Sequence, residues 1–362
     1  MSEQESPPEA QPAPYRAQRR WIILPFAVFG LLIVAYSAIW FKSKDQALKS
    51  LAQWVQSEKA QGKEAGYKNA RVTGYPLRFA LEIEGLNRAD PARGSAWTAS
   101  RLRINALPYD LRHVIVESLG PQTFQFSDGR GWVLNMKSGL ASLHVDKHGL
   151  KRLSVQVQEA NWTSSDGLAG KLKAFALQAA PEETDAAHIR FETEAVEGHV
   201  PEIKSELAAF GQDFKSIKAK GIVTQAQVFA SGFSPGALDL WAAQGGAAQF
   251  ESFNVSWGPA ELKGAGQASF DRLRRPAGKV DFKVEDSAKL ARALVDKGWL
   301  QGSAASNFIN AARIADIAGI GLKVNLEAED GTLSFWGVPL RELQPAYSPA
   351  VPDASASPVA GG

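Results

Sequence analysis

The strongest constraint on this chain is a run of 21 residues without a charge, WIILPFAVFGLLIVAYSAIWF, at positions 21–41. Wound as a helix it would be about 31 Å long, which matches a bilayer hydrocarbon core of roughly 30 Å. Arg16, Arg19 and Arg20 precede it, and Lys42 and Lys44 follow. Trp21 and Trp40 lie near its ends, where amphipathic rings favour the headgroup level, and Phe26, Leu31 and Phe41 supply apolar bulk. Pro25 falls in the first turn of such a helix, where a missing N–H costs little. A buried core helix seldom runs this long without a polar face. A cleaved signal would end near Ala35 or Ser37, yet the apolar run continues through Ile39, Trp40 and Phe41. That exceeds the usual apolar region of about 7–15 residues. The Arg19-Arg20 pair alone is a weak match to a twin-arginine signal. The run therefore reads as a retained single-pass anchor. Basic residues are nearly balanced across it, so orientation rests on the commoner arrangement for an N-terminal anchor. In that arrangement residues 1–20 form a disordered cytoplasmic tail and the large domain is exported.

Residues 42–62 read as a connector helix. Leu48, Leu51, Ala52 and Val55 share one stripe, Asp45 is placed to cap its start, and Gly62 to end it in the left-handed conformation. The stripe suits packing on the first strands; with Lys49, Lys59 and Lys63 nearby, lying on a membrane surface is the alternative. From about Tyr67 the period becomes two. Leu102, Ile104 and Ala106 alternate with Arg101, Arg103 and Asn105, and Leu153, Val155 and Val157 alternate with Ser154, Gln156 and Gln158. Val280, Phe282 and Val284 alternate with Lys279, Asp281 and Lys283. Each pattern is a strand with one dry face. Asp128-Gly129, His148-Gly149, Asp166-Gly167, Gly245-Gly246 and Asp330-Gly331 supply turns between them. Strands joined this closely predict an antiparallel meander, not βαβ units. Helical stretches come late, at 235–244, 287–297 and 303–318, the last with Phe308, Ala312 and Ala315 on one face. The expected fold class is β-dominated α+β: one transmembrane helix, then a long, mostly antiparallel sheet with a few packed helices. The β-rich domain occupies 63–343, with a subdomain break near 197–212, and the proline-rich 344–362 is a disordered tail.

Chemistry is sparse. With no cysteine, the chain has no disulfide, thiolate nucleophile, iron–sulfur cluster or Cys-based zinc site. Forty basic against 38 acidic residues lack the basic excess of a nucleic-acid binder. Residues 232–236 fit G-x-S-x-G around Ser234, but the next residue, Pro235, has no N–H for an oxyanion hole. His144 and His148 stand four apart in HVDKH, without the zinc-protease glutamate or a third ligand. Gly264-Ala265-Gly266 starts a phosphate-loop pattern that stops at Ser269 and reads instead as close backbone approach in a strand. No catalytic residue, cofactor or metal set is expected, and the chain reads as a non-enzyme.

Gly74-Tyr75-Pro76-Leu77-Arg78-Phe79 resembles the G-[FY]-P-[FL]-R signature of the "DUF two-one-two-five" envelope proteins of alphaproteobacteria. Trp54, Trp97-Thr98-Ala99, Trp241, Gly245-Gly246, residues 255–258 and residues 337–340 follow in that family's order, so the resemblance spans 21–343. It implies an inner-membrane anchor, a periplasmic domain, and strand-turn elements similar to those of AsmA-like proteins linked to lipid movement and envelope upkeep. The implied partners are the bilayer and a lipid or other apolar ligand on the sheet, on a face with Leu153, Val155 and Val157. The alternative is a scaffold for an envelope protein. Nucleic acid is not among the expected partners. Read from its own residues, the signature is a structural corner: Pro76 removes a ladder donor and suits a strand start or edge. Arg78 is placed to pin the strand through a paired charge.

Overall fold

The computed structural model describes residues 19–107, 110–147, 149–201 and 210–347. Its first element, α1 (Arg19–Ala60), is a single helix of 42 residues. Anchor and connector, expected as two helices, are therefore continuous. Nothing between Phe41 and Asp45 interrupts the ladder, since neither glycine nor proline stands there, and Asp45 is interior rather than a cap. Because the helix starts at Arg19, Pro25 lies inside it and not in the first turn. Gly62, just beyond the end, has the expected left-handed φ of 75°.

Among the described residues every strand after α1 joins one sheet of 17 strands. The first are β1 (Glu64–Gly66), β2 (Asn69–Thr73), β3 (Phe79–Asp90), β4 (Ser95–Leu107), β5 (Asp110–Ser118) and β6 (Gln122–Gln125). The long middle strands are β7 (Gly131–Asp146), β8 (Gly149–Ser164), β9 (Ala169–Pro181), β10 (Ile189–His199) and β11 (Asp213–Val223). After α2 (Pro235–Ala243) come β12 (Ala248–Trp257), β13 (Ala260–Phe270) and β14 (Pro276–Glu285). Two helices, α3 (Ser287–Asp296) and α4 (Gly302–Ala318), precede β15 (Leu322–Glu329), β16 (Thr332–Phe335) and β17 (Val338–Glu342). All pairings with a register are antiparallel. β1 and β2 share β3, and β5 and β6 share β4 and β7. From β7 to β17 each strand pairs with its neighbours in sequence. The sheet continues through the interval 197–212, because β10 and β11 pair directly. Residues 202–209 of that interval, His148, and the tails 1–18 and 348–362 lie outside the described residues.

The chain stays packed as far as Tyr347, beyond the expected onset of disorder at 344. The Ala346 N–H donates to the Arg274 carbonyl at 2.9 Å, and the Tyr347 hydroxyl donates to Asp239 at 3.0 Å. The Tyr347 ring also stands edge-on to Phe270, 5.2 Å between centroids.

Two cores sit at opposite ends of the strand order. Under α1, Trp40, Val72, Phe79, Leu81, Ile83 and Leu102 are buried, with Leu48 and Leu51 of the predicted stripe, and Trp54 beside it, packed on them. Under α3 and α4, Val284, Leu290, Leu294, Phe308, Ala312 and Val324 form the second. The helices pack chiefly at these ends, α1 on β1 to β3 and α3 and α4 on β13 and β15.

Candidate apolar ligand face

The register converts period-two patterning into a continuous surface. Residues paired across antiparallel strands share a face, as do residues i and i+2 along a strand. One row runs Leu81, Ile104, Val116, Ala141, Val155 and Leu177, each opposite the next. It continues through Thr193, Ala219, Phe253, Gly264, Phe282 and Val324. Flanking rows on the same face carry Leu143, Leu153, Ala179 and Phe191 on one side, and Gly139, Val157, Phe175, Ala195 and Ile217 on the other. Two residues further along the same strands, left-handed Glu159 and Glu197 interrupt the alternation. There Lys137 pairs with Glu159 at 2.5 Å and Lys173 with Glu197 at 2.6 Å. On the opposite face, Arg103 bridges Glu82 and Glu117, Lys218 meets Glu194 and Lys279 meets Glu327.

Between the two helical ends, Leu153, Val155, Val157, Phe175 and Leu177 are only half-buried. At roughly 4.8 Å per strand, the stretch from β5 to β12 is about 29 Å long. It leads into a cavity of about 840 Å³ between α3 and the sheet. Phe253, Leu262, Phe282 and Leu326 line its floor, Leu290, Leu294 and Trp299 its roof, and Arg341 its polar part. That volume is within the usual range for small-molecule pockets, whose walls are mostly apolar with few polar groups.

The roof is held by a cap that comes from another helix. Asp286, which precedes α3, makes no side-chain cap bond. Instead Asp316 of α4 accepts from the Ser287 N–H at 2.8 Å, the Ala288 N–H at 2.9 Å and the Ser287 hydroxyl at 2.8 Å. Burial pushes the Asp316 carboxyl up, but those donors win and hold it below the ordinary value.

The sequence-derived residues divide between an exposed helix surface and the protein core. Phe26, Leu31 and Phe41 are exposed on α1, and Trp21 lies in the same helix. Trp40, expected at the headgroup level, is only 3% exposed and belongs to the first core. Its indole N–H donates to the Arg78 carbonyl at 3.0 Å, and its ring meets Tyr75 and Phe79 edge-on. The signature folds as the turn from β2 to β3, so Pro76 lies in the turn, after a cis bond, and the strand begins at Phe79. Gly74 is required there: its φ is 98°, and a Cβ would stand 2.7 Å from that of Arg78. Arg78 forms no ion pair with any described residue, contrary to the expected paired charge. Its backbone does the fastening, its N–H donating to the Gly74 carbonyl at 2.7 Å.

Of the motif-like strings, Ser234 is the N-cap of α2, its hydroxyl accepting from the Ala237 N–H at 3.1 Å. Gly264 lies between Phe253 and Phe282, whose side-chain atoms occupy the space of a Cβ. His144 faces His113 across β5 and β7 with ring centroids 5.4 Å apart. Among the described residues no group of three or more metal-ligating side chains occurs.

A family model described as an uncharacterized protein conserved in bacteria, DUF2125, matches residues 40–344. The chain belongs to the DUF2125 family. No curated protein and no solved structure matches it. The matched region of this DUF2125 protein runs from Trp40 to the segment before Tyr347, and so takes in both cores and the whole apolar face.

Proposed function

We propose that this DUF2125 protein is a non-enzymatic envelope protein, held in the inner membrane by α1, whose periplasmic sheet binds lipid or another apolar ligand. The observation that carries the reading is the apolar face that runs, with none of the described helices packed chiefly along its middle strands, into the cavity beneath α3. Such surface is costly in water, about 25 cal/mol per Å², and an acyl chain laid along it removes that cost. Native mass spectrometry of the detergent-extracted full chain tests this. Lipid adducts are expected on the wild type and lost on Val155→Glu and Phe175→Glu; an adduct-free wild type rejects the reading.

A second reading, a scaffold that binds an envelope protein, is favoured by one observation. Ile314 and Ile317 of α4, and Ile320 just past its end, are 67%, 82% and 63% exposed. A stoichiometric protein recovered from membranes, lost on Ile317→Asp, with no lipid bound, selects that alternative.

A further inference from the structure

The signature turn is fastened to α1 inside the apolar run. The Tyr36 hydroxyl donates to the Pro76 carbonyl, Ser37 and Tyr75 share a hydroxyl hydrogen bond at 2.7 Å, and Tyr75 stacks on Phe41 at 5.6 Å. The first charge after the run is Lys42. Tyr36 therefore sits about 8 Å before the end of the uncharged segment, at a rise of 1.5 Å per residue. The polar zone on each side of a hydrocarbon core is of order 5–8 Å thick. A turn bonded at Tyr36 and Ser37 thus cannot stand clear of a membrane that α1 spans.

Its exposed side chains match that depth. Leu77, at the tip, is 82% exposed, and Tyr75 and Phe41 beside it are exposed as well. Arg78 is exposed and without an ion pair among the described residues, and Lys42 is exposed at the same end of the run. Apolar tip, amphipathic ring and open guanidinium form the pattern of an interfacial contact, with oil below and phosphate above.

We propose that the turn 74–78 is a membrane-interface prong: Leu77 and Tyr75 enter the lipid boundary, and Arg78 and Lys42 bind the phosphates of anionic lipid headgroups. The sheet edge at β2 and β3 is then fixed against the bilayer, and α1 is more than a tether. The inference rests on α1 lying in a bilayer and is independent of whether the apolar face holds a ligand.

The absence of cysteine allows a single-site probe. The full chain carrying Leu77→Cys, or Ser127→Cys on the opposite rim as control, is labelled with an environment-sensitive fluorophore. Each is placed in vesicles of phosphatidylcholine, with and without phosphatidylglycerol. Flotation with the vesicles checks the anchor first. The label at 77 should emit blue-shifted and be quenched by lipid-chain quenchers, while the label at 127 stays aqueous. Arg78→Glu should lose part of that shift in the phosphatidylglycerol vesicles and none in phosphatidylcholine alone. A chain that floats with an aqueous label at 77 overturns the prong and leaves the anchor standing. An unchanged shift in Arg78→Glu overturns the phosphate contact. A chain that does not float overturns the anchoring on which both rest.

Discussion

At the scale of single residues, two ionisable groups show how the sheet uses charge. Glu82 projects from the charged face of β3 between Arg71 and Arg103, accepting hydrogen bonds at 2.8 Å and 2.9 Å. The Arg71 bond first, and the Arg103 bond next, hold its carboxyl below the ordinary 4.5. A lowered folded value means that the native state binds the proton less readily than the unfolded chain. The associated stability is complete above 4.5 and fades as pH falls through the lower folded value. Glu82→Gln should cost about 1 kcal/mol at neutral pH and flatten the acid limb of a melting-temperature profile. An acid limb identical to wild type would show that the triad contributes nothing. Tyr347 has the opposite sign. Burial, then its bond to Asp239, raises the phenol to about 12 from the ordinary 10.0. Its contribution is whole below 10.0 and lost between 10.0 and about 12. Alkaline titration of tyrosinate absorbance should show one phenol ionising late, and Tyr347→Phe should remove that phase.

At the scale of elements, the device to test is the cap that α4 lends to α3. Asp316→Asn keeps one acceptor but turns an amide N–H toward a backbone donor, and it removes the charge that favours a helix N-terminus. The expected cost is about 1–2 kcal/mol, seen as faster hydrogen exchange over α3 and the cavity roof while α1 is unchanged. Exchange over α3 that equals wild type would mean that the apolar contacts of Leu290 and Leu294 hold the roof alone. This cap also marks where sequence reading stops. The alternation at Leu153, Val155 and Val157 discloses a strand with a dry face, and Phe308, Ala312 and Ala315 disclose the buried stripe of α4, because both are local periods. Asp316 meets Ser287 across 29 positions in the chain, a contact that no period encodes. Trp40 misleads for a related reason. A tryptophan at the end of an apolar run looks like a headgroup anchor, and only the return of the chain at residues 74–78 buries it. The continuity of α1 through Asp45 follows from the lack of a helix breaker at the junction, but a capping-type residue in a polar patch has the local look of a helix start.

At the scale of the molecule, most strands touch only their neighbours in sequence, so stability is distributed as in a repeat array, not concentrated in one core. The two buried clusters hold the ends, and among the described residues the middle strands have half-buried apolar side chains with neither cluster packed over them. Opening should therefore be cheapest in the middle. Hydrogen exchange followed peptide by peptide should give strong protection over β3, β4 and β13 to β15, and weaker protection over β8 to β10. A ligand that binds only the folded face adds stability where it binds, about 2.7 kcal/mol at a hundred times its dissociation constant. Lysophosphatidylglycerol below its micellar concentration is a suitable probe, having one acyl chain and an anionic head. It should slow exchange in β8 to β10 and along α3, and leave β3 and β4, already sealed by α1, unchanged. Slowing that is uniform over the whole sheet would indicate general detergent-like adsorption. Slowing confined to α4 would assign the apolar chemistry of this molecule to Ile314, Ile317 and Ile320, and with it a protein partner in place of a lipid.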